Sequence, residues 1–215
     1  LRPASKSIKN EQWHARVLKE KIANHEIYKP KYQRKRKWDI LHDKKKDNVP
    51  SEEKYIEFLY DTHNSVHAIT FGQDGDRLSN IDGNNRINAI MHFLTRPFEI
   101  FPDKLKPIKS AIEESICIAA ANQVESILKN MTYDELMSFR YNKYFLEKGY
   151  IELYNNHLKA KRDEAEQLFD DLSTSMKING THRFDDYVMI NVNLFSGYSI
   201  EELAEVFSRI NQYNS

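Results

Sequence analysis

Residues 80 to 93 read Asn80-Ile81-Asp82-Gly83-Asn84-Asn85-Arg86-Ile87-Asn88-Ala89-Ile90-Met91-His92-Phe93, placing an acid, a glycine, two amides and an arginine between two apolar patterns. The apolar run before Asp82 has the look of a strand. After it, Ile87, Ile90, Met91 and Leu94 fall at i, i+3, i+4 and i+7, one face of a helix. A tight turn feeding a helix N-terminus presents backbone N–H groups and the positive end of the helix dipole. That geometry suits a phosphate, and Arg86 in the first turn adds a forked cationic donor. The same residues also suit an Asx-type turn capping an ordinary helix, with Arg86 in solvent. The segment alone is compatible with both.

Two further segments share this chemistry. Tyr32-Gln33-Arg34 precedes Trp38-Asp39, and Val206-Phe207-Ser208-Arg209-Ile210-Asn211 closes the chain. Each ends a secondary element and offers amides beside an arginine. Amide side chains donate and accept hydrogen bonds, and arginine grips oxyanions in a fork. Brought together, the three would line a polar, phosphate-sized site. Around the first of them lies a basic run: Lys29, Lys31, Arg34, Lys35, Arg36, Lys37, Lys44, Lys45 and Lys46, against Asp39 and Asp43. Such a run meets nucleic-acid phosphates, or forms a solvated loop balanced by the acids between 163 and 171. Tyr28, Tyr32 and Trp38 are available to stack on bases.

Several other chemistries are excluded by pattern. There is no Gly-rich phosphate loop of the Walker type, no G-x-G-x-x-G and no G-x-S-x-G elbow. His63 and His67 are four apart with no third ligand following, so a zinc site is not supported. The Asp-rich turn Gly72-Gln73-Asp74-Gly75-Asp76 lacks the ligand spacing and closing glutamate of an EF-hand.

The elements that would position these residues follow from periodicity and caps. Residues 10 to 26 read as a helix with Trp13, Val17, Leu18 and Ile22 on one face, and 27 to 34 as a short edge strand carrying Pro30. Ser51 caps a helix to about Thr62, with Glu52 and Glu53 in its first turn. Val66 to Phe71 and Arg77 to Ile81 make a hairpin across the 72 to 76 turn. A helix over 84 to 95 and a short strand over Pro97 to Phe101 come next. Helices are expected over 108 to 130, 132 to 139 (with a Thr132/Glu135 capping box) and 157 to 178. Residues 187 to 194 form the strongest strand pattern, and a last helix starts at Ser199.

The totals bound the rest. With 215 residues, 40% apolar and 12% aromatic, the chain is long enough to bury a core, as one large domain or two small ones. The expected class is α+β: a small mixed sheet with flanking helices over 1 to 104, then a mostly helical extension over 105 to 215 whose 187 to 215 end returns to the core. Formal net charge is zero, so whole-chain charge gives no nucleic-acid signal. Cys117 is the single cysteine and sits in an apolar run, which implies a buried thiol and a reducing, intracellular setting. No stretch has the roughly 18 apolar residues of a membrane span, and no leader is visible. The chain starts at Leu1 and is expected to be a fragment or processed form.

The order Y-x-P-x-Y-Q-R-x-x-x-W, then I-D-G-x-x-R-x-x-A-I, and much later V-F-x-R-I-N, resembles the ParB/sulfiredoxin-like domain of GmrSD-type, type IV restriction enzymes. That family carries Tyr-Gln-Arg and Asp-Gly-Gln-Gln-Arg motifs. The resemblance covers about 27 to 95 and 187 to 215. It implies the ParB/sulfiredoxin-like fold and nucleoside triphosphate bound at the Asp-Gly-x-x-Arg turn, with a divalent metal such as Mg as companion. It implies hydrolysis that licenses DNA cleavage by a partner nuclease domain. Carried over, Arg86 holds phosphate and Asp82 positions the turn or a metal-bound water. Gln33 and Arg34 face the same pocket, Gly83, Asn84 and Asn85 join in binding the nucleotide, and Arg209 and Asn211 close it from the last helix. Lys35, Arg36, Lys37 and Trp38 are the nucleic-acid candidates. Asn84 and Asn85 depart from the family's two glutamines, each a methylene shorter, and a 1 Å misplacement costs ~100-fold in rate.

Three functions remain in competition: a nucleotide-binding and hydrolysing domain of a DNA-acting protein, a nucleic-acid-binding module without turnover, and a structural or assembly protein that keeps the fold without the chemistry.

Overall fold

In the computed structural model the described residues are 5–32, 51–115, 118–139 and 141–213. The chain opens with strand β1 (Ser7–His14), runs into helix α1 (Ala15–Ala23), and makes a two-residue strand β2 (Ile27–Tyr28). The helix expected from residue 10 therefore starts at Ala15. Residues 7–13 carry too few apolar side chains for a recognisable strand pattern, and Trp13 alone turns inward. Helix α2 (Glu52–Thr62) follows, capped as expected: Ser51 Oγ accepts from Lys54 N at 3.1 Å. His63 closes it with φ +59°.

Strands β3 (Ile69–Asp74) and β4 (Arg77–Asp82) form the hairpin, tighter than expected because β3 continues through Gly72 to a turn at Gly75. Helix α3 (Asn84–Thr95) leaves β4 after one residue, Gly83.

Residues 92 to 183 form a compact helical unit. It holds the end of α3, then α4 (Pro97–Ile100), α5 (Lys106–Ser115), α6 (Ile118–Lys129), α7 (Tyr133–Met137), α8 (Tyr141–Glu147), α9 (Ile151–Leu153) and α10 (Arg162–Ser175). The strand expected at 97 to 101 is helical: Pro97 takes the first helical position, and Phe98 and Ile100 are both buried. The helix expected over 108 to 130 is two helices, and Cys117 lies outside the described residues. Thr132 and Glu135 form the reciprocal capping box. Phe139 stacks on Phe169 at 4.6 Å, and the buried Tyr133 hydroxyl donates to Met176 O at 3.0 Å.

Residues Phe184–Ser215 belong with Leu1–Met91 in the other compact unit. Here α11 (Phe184–Tyr187) precedes β5 (Met189–Ser196) and α12 (Ile200–Tyr213). The sheet order is β1-β5-β3-β4-β2, with β5 antiparallel to β1 and parallel to β3, and β2 parallel to β4 at the edge. The fold is thus α+β, a five-stranded mixed sheet with flanking helices and a helical second half. Ile56, Leu59, Ile69, Ile81 and Ile190 are fully buried, and Trp13 stacks on Phe71 at 5.4 Å. On the sheet, Leu203 of α12 seats over Gly72 and Ser79, where a Cβ on Gly72 would lie 2.5 Å from Leu203 Cδ1. Among the described residues no helix is long and apolar enough to cross a membrane.

Candidate functional site

Pairing puts the starts of β3 and β5 and the ends of β1 and β4 at one end of the sheet: Thr70 faces Asp82, Ile69 faces Val192, and His14 faces Met189. The Asp82–Arg86 turn sits at this end. Gly83 takes φ +96°, and its carbonyl accepts the first helical bond from Ile87 N at 2.9 Å. A side chain there would meet Ile69 Cγ1 at 3.0 Å and Arg86 Nη2 at 3.2 Å, which is why glycine is required.

Arg86 is not solvated. Its Nη2 donates to Asp82 Oδ2 at 3.2 Å and its Nη1 to the His67 carbonyl at 2.8 Å, with only 15% of its side chain exposed. These bonds use two of the five N–H donors of the guanidinium. A cation in a helix's first turn opposes the dipole, and no acid stands in the first turn of α3. The Asp82 carboxylate, one residue before the turn glycine, supplies the compensating charge. The guanidinium also lies close enough to Tyr55 to draw its phenol down, but burial dominates and pushes that phenol up to about 12.

The His67 carbonyl is aimed at Arg86 by a locked loop. Val66 holds φ +59°, rare for a β-branched residue. Asn64 Oδ1 accepts from Val66 N at 2.7 Å, Asn191 Nδ2 donates to Val66 O at 3.0 Å, and the same amide reaches Asn64 Oδ1 at 2.9 Å. Gln12 Nε2 in turn donates to Asn191 Oδ1 at 3.0 Å. Ser65, 1% exposed, donates from Oγ to His67 O at 3.1 Å and accepts from Asn191 N at 2.9 Å. The turn is therefore held by residues 64 to 67, by β5 and by β1. Sequence reasoning passed over Asn64, Asn191 and Gln12. The signal was present in β5, where Asn191 and Asn193 alternate with the buried Ile190 and Val192.

The other sequence-derived candidates divide. Gln33, Arg34, Lys35, Arg36, Lys37 and Trp38 lie outside the described residues. Asn84 and Asn85 open α3 and are half-buried. Arg209 is 68% exposed and ion-paired with Glu205, one turn back in α12, and Asn211 Nδ2 donates to Phe207 O at 2.8 Å. Both side chains are thus bonded within their own helix. The first and third segments do meet: the Tyr32 and Phe207 rings are 5.4 Å apart. Their meeting point is farther down β4, where Tyr28, Tyr32 and Ser79 line one pocket. Ser79 and Asp82 are three residues apart, about 10 Å along a strand. A cavity of about 40 Å³ lies there, lined by Tyr28, Tyr32, Ser79, Tyr198 and Leu203, room for two or three waters.

Among the described residues no group of three or more His, Cys, Asp or Glu side chains could hold a metal ion, and Asp82 belongs to none. Its carboxylate is already turned to a guanidinium, and this donor set does not make a metal site by itself. In the helical unit, the hollow of about 230 Å³ beside Phe139 and Tyr144 has its charges paired, with Lys148 on Glu135 at 2.8 Å and Lys143 on Glu147 at 3.8 Å. No family model, no curated protein and no solved structure matches this chain.

Proposed function

We propose that the unit built on the five-stranded sheet binds the phosphates of a nucleoside triphosphate at the Asp82–Arg86 turn. One observation carries this reading: a guanidinium fixed from two sides by Asp82 and the His67 carbonyl, at a helix start, with donors to spare. Pre-organisation of this kind lowers the entropy lost when an anion docks. The half-buried setting strengthens the charge contact relative to one in open water.

In this reading Arg86 neutralises phosphate oxygens, Asp82 holds its orientation, and Asn84 and Asn85 offer amides beside it. Phosphoryl transfer depends on positioning and charge neutralisation more than on covalent chemistry. Hydrolysis would draw on Gln33 to orient water and Arg34 to add positive charge, the roles the family resemblance implies. DNA as partner, met through the basic run from Lys29, and a partner nuclease domain complete the proposal. They rest on the same resemblance.

Titration of a fluorescent nucleoside triphosphate tests it, comparing wild type with Arg86→Lys. Lysine keeps the charge but loses the fork, so affinity should fall about tenfold or more. The urea midpoint of each protein controls for folding. Equal affinity in two equally folded proteins would overturn the assignment. Release of inorganic phosphate, measured alongside, separates turnover from binding alone.

A further inference from the structure

β1 is an edge strand of eight residues, and among the described residues nothing pairs with its outer side. The hydrogen-bond phase of its ladder is fixed at one end: Ala15 N donates to Val188 O at 3.0 Å, continuing the β1–β5 register. Alternation then directs the backbone groups of Ser7, Lys9, Glu11 and Trp13 inward to β5. Those of Ile8, Asn10 and Gln12 point outward. The outer edge is therefore a row of main-chain donors and acceptors awaiting a strand.

The side chains select which strand. We infer that the outer edge of β1 pairs antiparallel with β1 of a second copy of this chain, about a two-fold axis at Asn10. In that register Asn10 faces Asn10 of the second copy in a hydrogen-bonded pair. Lys9 then faces Glu11 across a close, non-hydrogen-bonded pair, twice by symmetry. Ile8, 52% exposed in the single chain, faces Gln12. Moving the axis one residue either way preserves the hydrogen-bond phase but sets Lys9 against Lys9, or Glu11 against Glu11. Opposite charges directly across a ladder stabilise and like charges oppose. Of these three registers only the one centred on Asn10 satisfies the charges, so the pattern both attracts one partner and disfavours slippage. The union joins two five-stranded sheets into one of ten strands.

The test is sedimentation equilibrium of the 215-residue chain over a concentration series. The wild type should dimerise. Lys9→Glu and Glu11→Lys should each weaken the dimer by about 30-fold, since two attractive pairs become repulsive. An equimolar mixture of the two variants should restore dimerisation. In the mixed pair both carboxylates lie on one chain and both ammonium groups on the other, so positions 9 and 11 again meet as opposite charges. Asn10→Pro removes an outward N–H and should abolish the dimer while leaving unchanged the circular dichroism and the urea midpoint measured at concentrations where the wild type is monomeric. A wild type that stays monomeric throughout overturns the inference. So does a dimer indifferent to Lys9→Glu, or a mixture that associates no better than its components.

Discussion

Replacing Gly83 by alanine probes the centre of the turn, and its cost can be worked from the geometry. At φ +96° the residue lies beyond the left-handed well that non-glycine residues visit. The added Cβ would sit 3.0 and 3.1 Å from the two γ-carbons of Ile69, and 3.2 Å from Arg86 Nη2. Ile69 is fully buried and cannot retreat into solvent. Gly75, at φ +58° with nothing within 4 Å of a built Cβ, is the matched control. A left-handed alanine costs about 1–2 kcal/mol. Stiffening of the unfolded chain returns about 0.4–1 kcal/mol. Gly75→Ala should therefore lose roughly 1 kcal/mol. Gly83→Ala adds about 1–3 kcal/mol of overpacking against Ile69. Displacing Arg86 from the partly exposed Asp82 adds roughly 0.5 kcal/mol. The total for Gly83→Ala is about 2.5–4.5 kcal/mol. Urea midpoints at unchanged m-value measure both. If the two variants lose the same stability, the crowding of Ile69 and Arg86 around Gly83 is not real, and the turn is not tightly built.

Two other outcomes follow from packing and burial. Gly72→Ala should cost about 1–3 kcal/mol, because the new methyl meets Leu203 of α12, which is 3% exposed. Combining it with Leu203→Ala should cost at least about 1 kcal/mol less than the two changes summed, and simple additivity in the cycle would contradict this seating of α12. Tyr55, whose phenol burial raises to about 12 against the pull of Arg86, should make the protein weaker in alkali. Its folded value lies above the ordinary one near 10. The stabilising contribution is thus complete below about pH 10 and lost as pH rises toward 12. The urea midpoint should fall between about pH 10 and pH 12, and fall less in Tyr55→Phe. Parallel decline in both proteins would refute the buried setting of that phenol.

What could be read from the sequence was what short-range physics controls. Ser51, Glu52 and Glu53 announce α2, Thr132 and Glu135 announce α7, and Gly83 separates β4 from α3, because caps and turns need only neighbouring residues. β1 was hidden for the opposite reason. Ser7 to Gln12 are exposed, and what makes them a strand is pairing with β5 some 180 residues later, as in Gln12 with Asn191 at a separation of 179. Pro97 to Ile100 alternates like a strand, yet burial of both Phe98 and Ile100 is compatible with one helical turn there. Four residues are too few for periodicity to arbitrate. In the site, Asp82, Gly83 and Arg86 were visible through residue type and spacing. The carbonyl of His67 could not be, since any residue type carries one.

The stretches that the structure describes bracing the Asp82–Arg86 turn are residues 64 to 67, Asn191 and Gln12, none of them among the expected segments. With Asp82 at 3.2 Å, Arg86 already has an anion, so the two readings of the segment share one physical basis. Under the proposed function, the Asp82 carboxylate fills the role at Arg86 that a phosphate would take. It keeps a half-buried cation compensated at the positive end of α3. Under the proposed function a phosphate would share Arg86 with Asp82 or displace it, while the bond to the His67 carbonyl would hold the guanidinium in place. The αL backbone at Val66 is the local cost of aiming that carbonyl, borne by side-chain bonds from Asn64, Ser65 and Asn191. A helix cap alone would need neither the strained loop nor its lock on β5. Their presence beside a guanidinium with donors in reserve favours a turn built to hold charge in a fixed place.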